Sequence, residues 1–98
     1  MNRSDILEKA KECVCGQRTT DYGKPEDNFR TIADLWTVYK GGKIVFTSQD
    51  VAMMMTLMKI ARTVGGNGSN DCFVDIAGYA ACAGEIFGND KSLGLKKI

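Results

Sequence analysis

Apolar residues recur every three or four positions along almost the whole chain, the spacing that gathers them on one face of an α-helix. Ile6, Leu7, Ala10, Cys13 and Val14 form the first such stripe, with Ser4 as a fitting N-cap, and predict a helix to about Gln17. The polar run Arg18 to Lys24 breaks the pattern. Pro25, the single proline, suits a first helical position, where the missing N–H has no partner to lose. Glu26 and Asp27 suit the positive end of that second helix. Its predicted inward face is Phe29, Ile32, Ala33, Trp36 and Tyr39, and Gly41-Gly42 stops it.

Ile44-Val45-Phe46 is too short an apolar run to seed a sheet. Thr47-Ser48-Gln49-Asp50 has the form of a capping box with Asp in the place of Glu, opening a third helix that runs to about Val64. That helix is predicted to turn Val51, Met54, Met55, Met58 and Ala61 to one side, with Met53 and Leu57 broadening the stripe. A helix so widely apolar is either central or covered on two sides. Gly65 to Asn70 is a loop by composition. A fourth helix is predicted from near Asn70 to near Gly88, with Gly88 as its left-handed cap. The pattern therefore predicts an all-α fold: one bundle-like domain of four helices and short loops over residues 1–98, with a loosely ordered basic tail from residue 89.

The fourth helix holds Ala77, Gly78, Ala80, Ala81, Ala83 and Gly84, all small. Glycine inside a helix costs about 1 kcal/mol relative to alanine. Two of them imply the close approach of another helix or of a ligand. If that helix belongs to a second copy, the protein is a homo-oligomer.

Composition narrows the functional classes. The 98 residues carry 13 basic and 12 acidic side chains, a net charge of +1, which argues against a dedicated binder of nucleic-acid polymers. Histidine is absent, so the commonest general base and metal ligand are missing together. The charged N-terminal segment has no apolar core of a signal peptide, and no apolar run approaches a membrane span. The chain reads as a cytoplasmic protein with reduced thiols. Its four cysteines, Cys13, Cys15, Cys72 and Cys82, lack the spacing of a zinc site and read as small core side chains.

Three groups remain as candidate chemistry. Arg18, Asp21 and Tyr22 lie in the loop before the Pro25 helix, where backbone N–H groups and the helix dipole favour an anion. Arg18 offers a planar fork to phosphate and Tyr22 a ring to a base. The same loop reads equally well as a turn capped by Asp21, with Gly23 at positive φ. Lys59 and Arg62 on the third helix are either phosphate-binding cations at a pocket rim or side chains reaching out to water. Asp71 and Asp75, four apart, share a face of the fourth helix with Tyr79. They are either a hard-oxygen site for Mg²⁺ or partners of Lys59 and Arg62.

The strings R-x-x-D-Y-G-x-P-E-x-N-F (Arg18 to Phe29), I-A-x-L-W-x-x-Y (Ile32 to Tyr39), D-V-A-M-M-M (Asp50 to Met55), K-I-A-R (Lys59 to Arg62) and V-D-I-A-G-Y-A (Val74 to Ala80) resemble a small phage and prophage family without assigned activity. More remotely, an acidic helix start leading into D-x-A-x-Y-A resembles the all-α, MazG-like NTP pyrophosphatases. Those are helical oligomers that hold Mg²⁺ on a nucleotide with carboxylates. The likeness implies that Asp71 and Asp75 stand for their second acidic pair. Their E-x-x-E pair has no counterpart here. Cations, rings and few carboxylates suit capture of a nucleotide without cleavage, a host defence signalling nucleotide among the candidates. The expected ligand-binding set is Arg18, Asp21, Tyr22, Lys59, Arg62, Asp75 and Tyr79, with no certain cofactor and Mg²⁺ only for an enzyme. The alternative is a Mg²⁺-dependent pyrophosphohydrolase using Asp71 and Asp75. A third reading is a protein-binding factor, marked by an exposed Met53–Met58 face.

Overall fold

Two of the helices begin on a reciprocal cap that their own side chains supply. In the computed structural model, which describes residues 1–16, 20, 21, 23–66 and 69–89, the elements are α1 (Arg3–Cys15), α2 (Pro25–Tyr39), α3 (Ser48–Val64) and α4 (Asn70–Asn89). No strand occurs among the described residues, and the fold is all-α. The predicted tail beyond Asn89 lies outside the described residues.

The N-cap of α1 is Asn2, not Ser4. Its Oδ1 accepts from the Asp5 amide at 2.8 Å while the Asp5 carboxylate accepts from the Asn2 amide at 3.1 Å. This is a capping box with Asp at its third helical position, which sequence alone concealed because Ser4 is an equally good cap by type. Thr47 and Asp50 make the same reciprocal pair at the start of α3, as their order predicts. Gly41 and Gly42 close α2 at positive φ, their amides donating back to Val38 O and Thr37 O at 2.9 Å each. This is a Schellman closure. Gly42→Ala meets no neighbour but forces an L-residue to φ 78°, so a loss of about 1 kcal/mol is expected in urea unfolding, with the helix content unchanged. Gly88 is not a cap: it lies inside α4, at negative φ.

Helix α4 is the shared element. It packs extensively on α3 and on α1, and more lightly on α2, while α2 packs mainly on α3. The buried set is Ala10, Phe29, Ala33, Val51, Ala52, Cys72, Val74, Gly78, Cys82 and Ala83, nearly all small. Close approach follows from that smallness. A Cβ at Gly78 would stand 3.3 Å from Val14 Cγ1, so the glycine lets α1 lie against α4. Gly84 faces open space, so only one of the two interior glycines meets a neighbouring helix within the chain.

Two predicted faces are turned differently. On α3 the inward side is Val51, Ala52 and Met55, with Thr56, Lys59 and Thr63 half-buried; Met54, Met58 and Ala61 point outward. Apolar residues cover both sides of this helix, so periodicity alone selects neither. On α2, Phe29, Ile32, Ala33 and Trp36 turn inward, but Tyr39 is 87% exposed. Its place is taken by Phe46, whose ring packs edge-on against Trp36 at 5.7 Å and whose amide donates to Thr37 Oγ1 at 2.9 Å.

Candidate functional site

Helix α1 leans on α4 and α2 mainly on α3, with little direct contact between α1 and α2. The gap between them over α4 is a cavity of about 410 Å³. Cys13 and Val14 line it from α1, Pro25, Asn28 and Phe29 from the first turns of α2, and Val74, Asp75, Tyr79 and Cys82 from α4. Its volume falls in the range of small-molecule sites, roughly 300–1,000 Å³.

The spacing of α4 builds one wall. Asp75 and Tyr79 are one turn apart and share a face, and Cys82 continues it. The Tyr79 ring tilts against Phe29 with centroids 6.1 Å apart, joining α4 to α2. Behind Asp75 stands Lys59 of α3, its Nζ 2.9 Å from Asp75 Oδ2. The Lys59 side chain is only 14% exposed, that of Asp75 36%. The lysine is thus held by its counter-charge, and the carboxylate is fixed in position at the cavity wall.

The other wall begins at Gly23, which takes the positive φ expected of it, and at the N-terminus of α2. Lys24 is the N-cap and brings no side-chain hydrogen bond to it. Pro25 has no N–H, the Asp27 and Asn28 amides donate to Lys24 O at 3.1 and 3.3 Å, and Glu26 and Asp27 already answer the dipole of this helix start, which lines the cavity through Pro25 and Asn28.

Of the expected ligand set, Asp75 and Tyr79 line the cavity, and Lys59 is joined to it only through its ion pair with Asp75. Arg62 is exposed in the last turn of α3, where it complements the helix dipole, and does not line the cavity. Asp71 is exposed in the first turn of α4, also away from the lining. Asp21 is exposed in the connection before α2. Arg18 and Tyr22 lie outside the described residues. Cys13 and Asn28 belong to the lining although periodicity marks only the first, and as a core residue.

Asp71 and Asp75 are the expected Mg²⁺ ligands of the alternative reading. Asp75 is engaged by Lys59, Asp71 stands apart in solvent, and among the described residues no three of His, Cys, Asp or Glu gather closely enough to hold a metal ion. Magnesium demands near-octahedral oxygen ligation, usually with at least one carboxylate free to bind it.

All four cysteines are free thiols; Cys72 and Cys82 are buried, Cys13 is half-buried, and Cys15 is exposed, contrary to its expected place in the core. Burial pushes the Cys82 thiol up to about 11, with smaller contributions from the charges of Glu26 and Glu85 and from Cys15. The unfolded thiol ionises near 9.0, so folded and unfolded chains bind this proton equally below that pH. Between pH 9 and 11 the unfolded chain loses the proton first, and stability falls as pH rises. Urea unfolding from pH 8 to 10.5 should show this decline, and Cys82→Ala should flatten it. An unchanged slope in the variant would assign the decline to other groups.

A family described as Domain of unknown function (DUF6378) matches residues 5–87, from α1 through most of α4. The chain belongs to the DUF6378 family. The match covers every element that lines the cavity. Two relatives of this DUF6378 chain are phage proteins. The Gene 55 protein of Mycobacterium phage L5 is 51% identical over 75 residues, 76% of this chain and 47% of that protein. The Gene 55 protein of Mycobacterium phage D29 is 44% identical over 82 residues, 84% of this chain and 53% of that protein. The chain spans about half the length of the curated relatives it matches. No solved structure matches it. These relatives agree with the expected phage-type family lacking an assigned activity. No helix among the described residues is long and apolar enough to cross a membrane.

Proposed function

We propose that this DUF6378 domain binds a nucleotide, or a like phosphate-bearing small molecule, in the cavity between α1, α2 and α4, and holds it without cleavage. One observation carries the reading: Asp75, fixed by Lys59 at 2.9 Å, stands one turn from Tyr79 on the wall of a cavity of ligand size. Asp75 Oδ2 is engaged by the lysine, and Oδ1 is the atom to accept from a ribose hydroxyl or an exocyclic amine. Tyr79 and Phe29 supply ring surface for a base. For the phosphate the sequence offers Arg18, which lies outside the described residues. A sequestered signalling nucleotide of host defence fits these requirements, because capture needs complementarity but no activated water.

The test incubates the protein with a panel of mononucleotides and cyclic oligonucleotides, washes it, denatures it and identifies what is released. Intact nucleotide, lost in Tyr79→Ala and Asp75→Leu, is the expected outcome. Hydrolysed product alone would replace capture by pyrophosphohydrolysis. No retained nucleotide, together with no slowing of Cys13 alkylation by any panel member, would end the reading.

A further inference from the structure

The outward side of α3 carries a seam opposite the core. Met53, Leu57, Ile60 and Val64 follow at spacings of four, three and four, the alternation that keeps a stripe facing a second helix. All four are exposed, Leu57 at 60% and Val64 at 83%, and Met54 and Met58 flank them. These six side chains expose on the order of 600 Å², most of the ~800 Å² that each subunit commonly buries in a stable interface. A patch of that size on so small a domain marks an interaction surface rather than scattered surface leucines.

The seam is uncharged. Between Met53 and Val64 the two charged residues are Lys59 and Arg62; Lys59 turns inward to Asp75, leaving Arg62 as the exposed charge. Nothing on this face recruits an acidic or basic partner. What matches it is another apolar helix with the same alternation, and a second copy of α3 supplies that by symmetry. In a two-fold contact the same patch serves both subunits, so one helix satisfies the whole requirement. The core also needs the help. The inward face of α3 is closed by Val51, Ala52 and Met55, and a helix apolar on both sides must bury the other side elsewhere.

We infer that α3 pairs with α3 of a second copy along Met53, Leu57, Ile60 and Val64, making the protein a dimer through this face. Such a dimer leaves the cavity free, because α1, α2 and α4 line it and α3 does not. The oligomer anticipated from the glycines of α4 thereby takes a different seat, since Gly78 is occupied by Val14 within the chain.

Light scattering on size-fractionated protein tests this. The expected mass is twice 10.7 kDa for the wild type. Leu57→Glu, which sets a charge in the middle of the seam, should weaken the dimer roughly 100-fold and give a monomer with unchanged helical circular dichroism. Leu7→Glu on α1, exposed but away from the seam, should remain dimeric. A wild-type monomer at 100 µM protein, a dimer that survives Leu57→Glu, or a dimer lost equally in Leu7→Glu would overturn the assignment. So would a complex whose excess mass is a different protein. Nucleotide retention by the monomeric Leu57→Glu variant keeps the outcome separate from that of the cavity.

Discussion

Phe29→Ala is expected to lower the unfolding free energy by about 3–4 kcal/mol, the largest effect of any single truncation in this fold. The ring is 5% exposed and packs with Ala33, Val51, Ala52, Cys82 and Ala83, while its other side meets Tyr79. Its neighbours are mostly too small to close over the space it leaves. A domain of this size commonly holds only about 5–15 kcal/mol in all, and the loss lowers the midpoint of thermal unfolding by roughly 12–30 °C. The same change opens the cavity wall. Differential scanning calorimetry reads the first effect and nucleotide retention at low temperature the second. A loss under 1 kcal/mol would mean that Phe29 is not the joint between α2 and α4.

Asp75→Ala is the second large effect. It leaves the Lys59 ammonium, whose side chain is 14% exposed, without its counter-charge. Breaking a fully buried pair costs about 3–5 kcal/mol; the 36% exposure of Asp75 brings the expected cost nearer to 2 kcal/mol. Lys59→Met is milder, about 1 kcal/mol or less, because Asp75 can turn toward water while the methionine keeps the apolar stem. Lys59→Met combined with Asp75→Ala should recover much of the loss, since neither charge then needs solvation. Urea unfolding of the three variants gives the cycle. Purely additive costs would contradict a pair that positions the carboxylate. Ligand retention should separate the variants further, surviving in part in Lys59→Met and failing in both Asp75 variants.

The helices were legible where a single residue type dictates local geometry. Pro25 opens α2, Gly41-Gly42 close it, and Thr47 with Asp50 cap α3, each by chemistry confined to a few residues. The capping of α1 was less legible because Asn2 and Ser4 compete as caps, and the partner Asp5 decides between them. Orientation was the harder problem. The 3.6-residue period identifies α3 as a helix, but with apolar residues around most of it, the side that turns inward is set by tertiary packing of Val51, Ala52 and Met55 and by the pairing of Lys59 with Asp75. Tyr39 was misassigned for a similar reason: Phe46, ten residues past Trp36, folds back to cover the position.

The site was legible in part through the same geometry. Asp75 and Tyr79 share a face by their i, i+4 spacing alone, and Lys59 was one of two cations able to meet Asp75. Arg62, the other, occupies the exposed side of the next turn. The cavity itself was not legible, because it arises from α1 leaning on α4 and α2 mainly on α3, with little contact between α1 and α2. No local pattern encodes that gap. Cys13 and Asn28 enter the lining only through it.

Native mass spectrometry of freshly purified protein, wild type beside Tyr79→Ala, tests the capture of a phosphorylated ligand most directly. The expected spectrum shows the wild-type chain carrying one small phosphorylated molecule per cavity after incubation with the nucleotide panel, released intact on activation, and the variant bare. Wild type that stays bare throughout the panel, or a variant that carries the same molecule as tightly, would contradict it.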